Sequence, residues 1–242
     1  MLKPSPLATR FAGSLRDCRS GVAFLEFAFA LPVVLALGLL GLETANYAMS
    51  NLRVSNIAML TADNAARVRD SIDEGDVVEL FTGAKMSGNN INFGQNGRII
   101  LTDLELNAAG TKQWVRWQRC DGALSYAATP SALRPMTSGG TVISNGTEIY
   151  NTDRYTTSSS PSSETKASLT SVGSGTNVIS AQSGTAVMVV EVAYNYQPVI
   201  PNSFLQGKQI TYVSAFNVRQ RTDQTLRNVN RITPKSCNTF AA

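Results

Sequence analysis

Glu26 places a carboxylate in the apolar run Val22 to Leu42, 21 residues that carry no other charge. A carboxylate within a membrane helix costs a few kcal/mol at the bilayer centre and less near the interface, so it calls for a partner. Gly21 points to one. Hydrolysis of the Gly21–Val22 bond would make the Val22 amine a new ammonium and Glu26 the fifth residue of the remaining chain. Within one helix the two groups stand about a turn apart. Between helices packed side by side with an axial stagger, the amine of one can meet the Glu26 of its neighbour. The simpler alternative is an interfacial Glu26 held among lipid headgroups.

The remaining chemistry is sparse. Histidine is absent, which excludes Ser-His-Asp and Cys-His catalysis and every histidine metal site. Cys18, Cys120 and Cys237 form no CxxC pair, so neither a zinc site nor any cofactor is expected. Carboxylate catalysis would fall to Asp103 and Glu105 or to Glu191. Those acids alternate with apolar residues on predicted strands, which reads as the wet face of a sheet, and no enzyme is expected.

Several elements must position these groups. Residues 1–21 form a basic leader, with Lys3, Arg10, Arg16 and Arg19 against Asp17. Residues 22–42 are long enough to span a bilayer, which takes roughly 20 residues. The positive-inside rule puts the amino terminus in the cytoplasm and the chain after residue 43 outside. A cleaved secretory signal competes poorly, because its apolar core runs about 7–15 residues and Ala45-Asn46-Tyr47-Ala48 is a weak cleavage site. Apolar or small residues then recur at Ala45, Met49, Leu52, Val54, Ile57, Ala58, Thr61, Ala65, Val68 and Ile72. This 3-and-4 spacing predicts an amphipathic extension over 43–74. Joined to the membrane segment, it makes one helix about 75 Å long, with Pro32 and Gly38 as its weak points.

Gly21 followed by VAFLEFAFALP resembles the cleavage signal of type IV prepilins, and in particular the TadE-like pseudopilin and minor pilin family of the Flp (Tad) pilus system. The run EFAFALPVVLALGLLGLE, the Asn/Ala-rich helix after it and the segment WQRCDG at Trp117–Gly122 share that family's look. The resemblance is dense over about residues 16–72 and thin beyond. It implies a prepilin peptidase that cuts between Gly21 and Val22, with Glu26 as the register residue. The implied partners are other pilins and the Tad assembly machinery at the inner membrane. Flp major pilins are very short, whereas a long body follows the helix here, which favours a minor pilin or pilus-associated anchor. Relatives resembling TadG keep their helix uncut, and such an anchored binding domain or adhesin is the alternative.

Residues 75–242 are expected to form a β-rich body, completing an α+β plan with a pilin-like antiparallel sheet. After DEGD the helical pattern breaks, and SGNNINFGQNG at 87–97 reads as turn chemistry. Strands are predicted at Arg98–Leu106, Lys112–Arg119, Thr185–Tyr196 and Gln209–Arg219. The first alternates through Ile100, Thr102, Leu104 and Leu106. The third sets Ala186, Met188, Val190, Val192, Tyr194 and Tyr196 on one face. The sheet should be half-buried, against the C-terminal part of the long helix. A Ser/Thr-rich insert, about 125–183, reads as a long loop, with a sequon at Asn145-Gly146-Thr147.

Export would leave Cys120 and Cys237 in an oxidising compartment, where a disulfide is favoured over two buried thiols. Arg219, Arg221, Arg227, Arg231 and Lys235 read as a solvated edge and tail. With no aromatic stacking pattern beside them, and a net charge of +4 spread along the chain, no nucleic-acid partner is expected.

Overall fold

The computed structural model describes residues 20–106, 113–125, 168–169, 172–174, 177–201, 203–235, 237 and 239–242. The leader with Cys18, the sequon and most of the Ser/Thr-rich insert lie outside these residues. The chain divides into two compact units, 1–46 and 47–242.

A continuous helix, α1 (Ser20–Arg67), passes through Pro32 without interruption. In the first unit the side chains from Val22 to Leu42 are exposed throughout, including Phe24 at 73% and Phe29 at 76%. Among the described residues it is the one helix long and apolar enough to cross a membrane. Where the apolar run ends, the Thr44 hydroxyl donates to Leu40 O at 3.0 Å and Gly41 O at 2.9 Å.

The second unit begins with the remainder of α1. Val54, Ile57, Ala58, Ala62, Ala65 and Ala66 are buried there, the 3-and-4 stripe expected of one apolar face. Met49 and Leu52 fall off that stripe and are exposed, at 49% and 66%. The helix stops at Arg67, short of residue 74. Asp70 takes a left-handed φ of 58°, which helical propagation does not tolerate.

A second helix follows where the sequence predicted a break. The short strand β1 (Ile72–Asp73) leads into α2 (Glu74–Ser87). Asp73 caps it: its carboxylate accepts from Gly75 N at 2.9 Å, while Asp76 accepts from Asp73 N at 2.8 Å. This is a reciprocal capping box, and it turns the DEGD segment into a helix start.

Segment 87–97 is likewise no hairpin turn. It folds as a single 3-10 turn (Asn89–Ile91) and a one-turn helix, α3 (Phe93–Asn96). The glycines that mimicked turn chemistry make room for Phe93. A Cβ on either Gly88 or Gly97 would stand 2.4 Å from the Phe93 side chain.

The main sheet is antiparallel, in the order β4-β3-β2-β7-β8. Its strands are β2 (Gly97–Leu106), β3 (Gln113–Asp121), β4 (Ser168–Leu169), β7 (Ala186–Asn195) and β8 (Gln209–Asn217). Between β4 and β7, β5 (Val172–Ser174) pairs antiparallel with β6 (Asn177–Ile179) as a separate two-stranded sheet. The described parts of the insert thus carry strands that its composition did not announce. A last strand, β9 (Leu226–Arg227), pairs in parallel with β1.

One sheet face packs on α1 and α2 through Ile99, Leu101, Met188, Val190, Val192 and Tyr194. The β7 alternation is as predicted. On β2 the helix-facing set is Ile99 and Leu101, one residue out of step with the predicted face. The sheet is not half-buried either. Ile100, Cys120 and Ala193 on its opposite face pack with Cys237 of the C-terminal tail, so β2 and β7 are buried on both sides. Strands covered on both faces lose the polar alternation that marks a solvated sheet, and β2 was misread for that reason.

Candidate functional site

The amino-terminal group comes first. Gly21, Val22 and Glu26 lie in the opening turns of α1, with Val22 53% exposed and Glu26 exposed as well. At four residues apart, Val22 and Glu26 share a helix face, one above the other. The small residues Ala28, Ala30, Ala36, Gly38 and Gly41 follow on the same exposed segment. Beyond the adjacent residues and the helix's own backbone, no heavy atom of the described residues lies within 4 Å of a Cβ built on Gly21, Gly38 or Gly41.

The second group is the tail lock. Cys120 on β3 and Cys237 are joined as a disulfide, Cα to Cα 4.7 Å, closing a sequence separation of 117. Arg98, buried on β2, donates to Gly122 O at 2.8 Å, Cys237 O at 2.8 Å and Thr239 O at 2.6 Å. Its guanidinium also lies 4.3 Å from the Phe240 ring centroid. Burial lowers its pKa to about 10, opposed by the Asp121 carboxylate, so Arg98 holds these carbonyls as a full cation at neutral pH. Asp121 receives Lys85 at 2.9 Å from α2 and Lys235 at 3.2 Å from the tail.

The third group is a set of charges inside the core. Arg119 on β3 donates through Nε to both Glu74 oxygens, at 2.9 and 3.1 Å, and through Nη2 to Glu74 Oε1. Both side chains are almost fully enclosed, at 2% and 1% exposure. Next to Trp117, β3 carries a bulge: Asp103 pairs with Trp117 and Leu104 with Val115, so Arg116 has no opposite number. A bulge re-aims its extra side chain. Here Arg116 reaches Glu105 at 3.0 Å, on the helix side of the sheet.

Asp103, Glu105 and Glu191 are all buried, and Asp103 and Glu105 face the core rather than solvent. The expectation of a wet face fails because the chain supplies internal counter-charges. Arg221, the buried member of the C-terminal basic run, approaches from the loop after β8. It donates to Gln224 Oε1 at 2.8 Å and to Ala65 O at 3.3 Å. The rest of that run is mostly paired rather than free: Arg219 with Asp63, Arg227 with Asp223 and Lys235 with Asp121. Sequence reading put Arg221 on a solvated edge, where the structure buries it, and did not single out Arg119 or Glu74, since nothing local separates a core arginine from a surface one.

Asp103 is the weak point of this cluster in energetic terms. Neither of its oxygens has a well-formed hydrogen bond among the described residues, and the Trp117 N–H donates instead to Gln224 O at 3.0 Å. Burial holds the Asp103 pKa well above the carboxylate range and Glu105 adds to this, against the pull of Arg221 and Arg116. Burial raises Glu105 too, opposed by Arg116. A carboxyl with a raised folded pKa binds more protons folded than unfolded, so the contribution of this pair to stability is greatest at acid pH and falls as pH rises from about 4 toward the folded value. Asp103→Asn is therefore expected to flatten that fall and to raise the urea midpoint at pH 7, with little change near pH 4. A lower midpoint at pH 7 would mean that Asp103 is ionised and needed by Arg221.

A groove of about 340 Å³ runs between α1 and α2, lined by residues that include Ile57, Leu60, Val68, Leu80, Asp76 and Glu79. Among the described residues no group of three or more Cys, Asp or Glu could hold a metal ion. No family model, curated protein or solved structure matches the chain.

Proposed function

We propose that this chain is a pseudopilin or minor pilin of a Tad-type pilus, anchored by α1 in the inner membrane with its second unit on the outer side. A prepilin peptidase removes the leader at Gly21–Val22. The freed Val22 ammonium pairs with Glu26 of a neighbouring helix and fixes the axial stagger. The observation that carries this reading is the opening half of α1. It is an exposed, apolar, span-length segment whose sole charge lies one turn beyond a Gly-Val bond. Ala28, Ala30, Ala36, Gly38 and Gly41 allow close approach between helices, where packing drives association in lipid.

A binding and assembly role also suits the second unit better than catalysis does. A general acid or base must touch its substrate, and Asp103 is wholly enclosed while Glu105 is 8% exposed.

The test is an intact mass of the native protein with amino-terminal sequencing, expected to start at Val22. A chain that keeps residues 1–21 would instead be an uncut TadG-like anchor or adhesin. In the processed protein, Glu26→Ala should insert into the membrane normally yet abolish or severely reduce pilus assembly. Unimpaired piliation in that variant would remove the pairing mechanism.

A further inference from the structure

The two edges of the main sheet are treated differently. On the β3 side, β4 pairs with Gln113 and Trp114, and the tail covers the far end through Cys120 N to Lys235 O at 3.0 Å. On the other side β8 is terminal, and among the described residues nothing pairs along its outer edge.

The direction of its backbone groups follows from the register. Val218 N donates to Ala186 O, and Tyr196 N to Lys208 O, both at 2.9 Å. Between these ends, β7 and β8 pair residue for residue from Val187–Asn217 to Asn195–Gln209. Opposed residues in an antiparallel ladder alternate between hydrogen-bonded and non-bonded pairs. The even-numbered residues of β8 therefore bond β7, and Gln209, Thr211, Val213, Ala215 and Asn217 aim N–H and C=O outward.

Natural edges are normally blunted by charge, proline or brevity. The nine-residue segment QITYVSAFN has no charge and no proline, and Tyr212 and Val213 are 40% and 45% exposed. At its start Lys208 is exposed, with no ion-pair partner among the described residues. We propose that β8 is an acceptor edge for one extended strand of another polypeptide. That strand is rich in β-branched or aromatic residues, uncharged along the stretch that pairs with 209–217, and carries a carboxylate at the end that meets Lys208. Main-chain bonds would supply the affinity, as in strand addition generally.

A second copy of this chain does not suit the edge. Antiparallel β8–β8 pairing centred on Val213 would set Lys208 opposite Val218 and beside Arg219, a like charge that destabilises the pairing.

The probe is the peptide QITYVSAFNE, whose glutamate falls opposite Lys208 when its valine faces Val213. With the full chain in detergent, amides 209, 211, 213, 215 and 217 should exchange fast and the intervening amides slowly. Adding peptide should slow the outward set by about tenfold or more. The same peptide N-methylated on its donor edge should have no effect. Val213→Pro removes an outward donor and spares the β7 ladder, the arrangement in which a strand proline is tolerated. It should keep the wild-type melting temperature within a few degrees and lose the response. The proposal is overturned if the peptide leaves the outward amides unchanged, or if the N-methylated peptide works equally well. It also falls if these amides become protected with rising protein concentration alone, which would make the occupant a second copy.

Discussion

Glu74→Gln should lower the stability of the second unit by about 3–5 kcal/mol, as expected when one partner of a buried ion pair is removed. At 2% exposure the Arg119 guanidinium cannot reach water. The variant leaves that cation facing a neutral amide that offers one acceptor where the carboxylate offered two. Domains of this size are stable by about 5–15 kcal/mol, so a large part of the margin disappears. The urea midpoint should fall with an unchanged slope, because the surface exposed on unfolding is the same. The double variant Glu74→Leu with Arg119→Met should recover most of the loss, since apolar replacement of a whole buried pair is often neutral or better. A loss below about 1 kcal/mol for Glu74→Gln would show that water reaches the guanidinium. The pair matters for architecture because Glu74 opens α2 and Arg119 lies on β3, so the bond fastens helix to sheet across a sequence separation of 45.

The apolar helix of spanning length and its continuation were legible because their signals are local. An uncharged run of spanning length and a 3-and-4 apolar stripe are each readable within a few turns. Strand β7 was legible for the same reason, through strict alternation from Ala186 to Tyr196. The α2 helix was hidden by Gly75 and Gly83, which depress helix propensity. Its start was nonetheless written in Asp73 and Asp76, at capping-box spacing but with aspartate where glutamate is usual. Around Phe93 the glycines were correctly noticed and wrongly explained: they answer to packing, and only the partner ring reveals it. The core charges were not legible at all. Glu74 meets Arg119, and Asp103 lies near Arg221, across distances in sequence that no window spans. The face of β2 slipped by one because both of its faces are buried, which erases the polar positions that would have set the register.

Of the candidate sites, the amino-terminal one is therefore almost wholly a sequence signal, and the folded unit contributes little to its recognition. The edge of β8 is the reverse. Its sequence shows only an alternating strand, and the pairing partners of β7 are what leave five residues with outward backbone groups.

Replacing both Cys120 and Cys237 by serine should lower stability by about 5 kcal/mol, the chain-entropy value for a loop closed over a separation of 117. Reductant should shift the wild-type midpoint by the same amount and leave the double variant unmoved. In that account the bond acts on the unfolded chain, which it forbids from exploring open states, and the folded tail ought to stay where it is. Arg98 makes this testable, for it holds Gly122, Cys237 and Thr239 by their carbonyls and stacks on Phe240 independently of the sulfurs. The amide at position 120, bonded to Lys235 O, should remain protected from exchange in the double serine variant below its melting temperature. Adding Arg98→Ala should release it, along with the face of the sheet that carries Ile100 and Ala193. If the serine substitutions alone free that amide, the disulfide is the strap itself, and the stabilisation lies in the folded state rather than in the loop it closes.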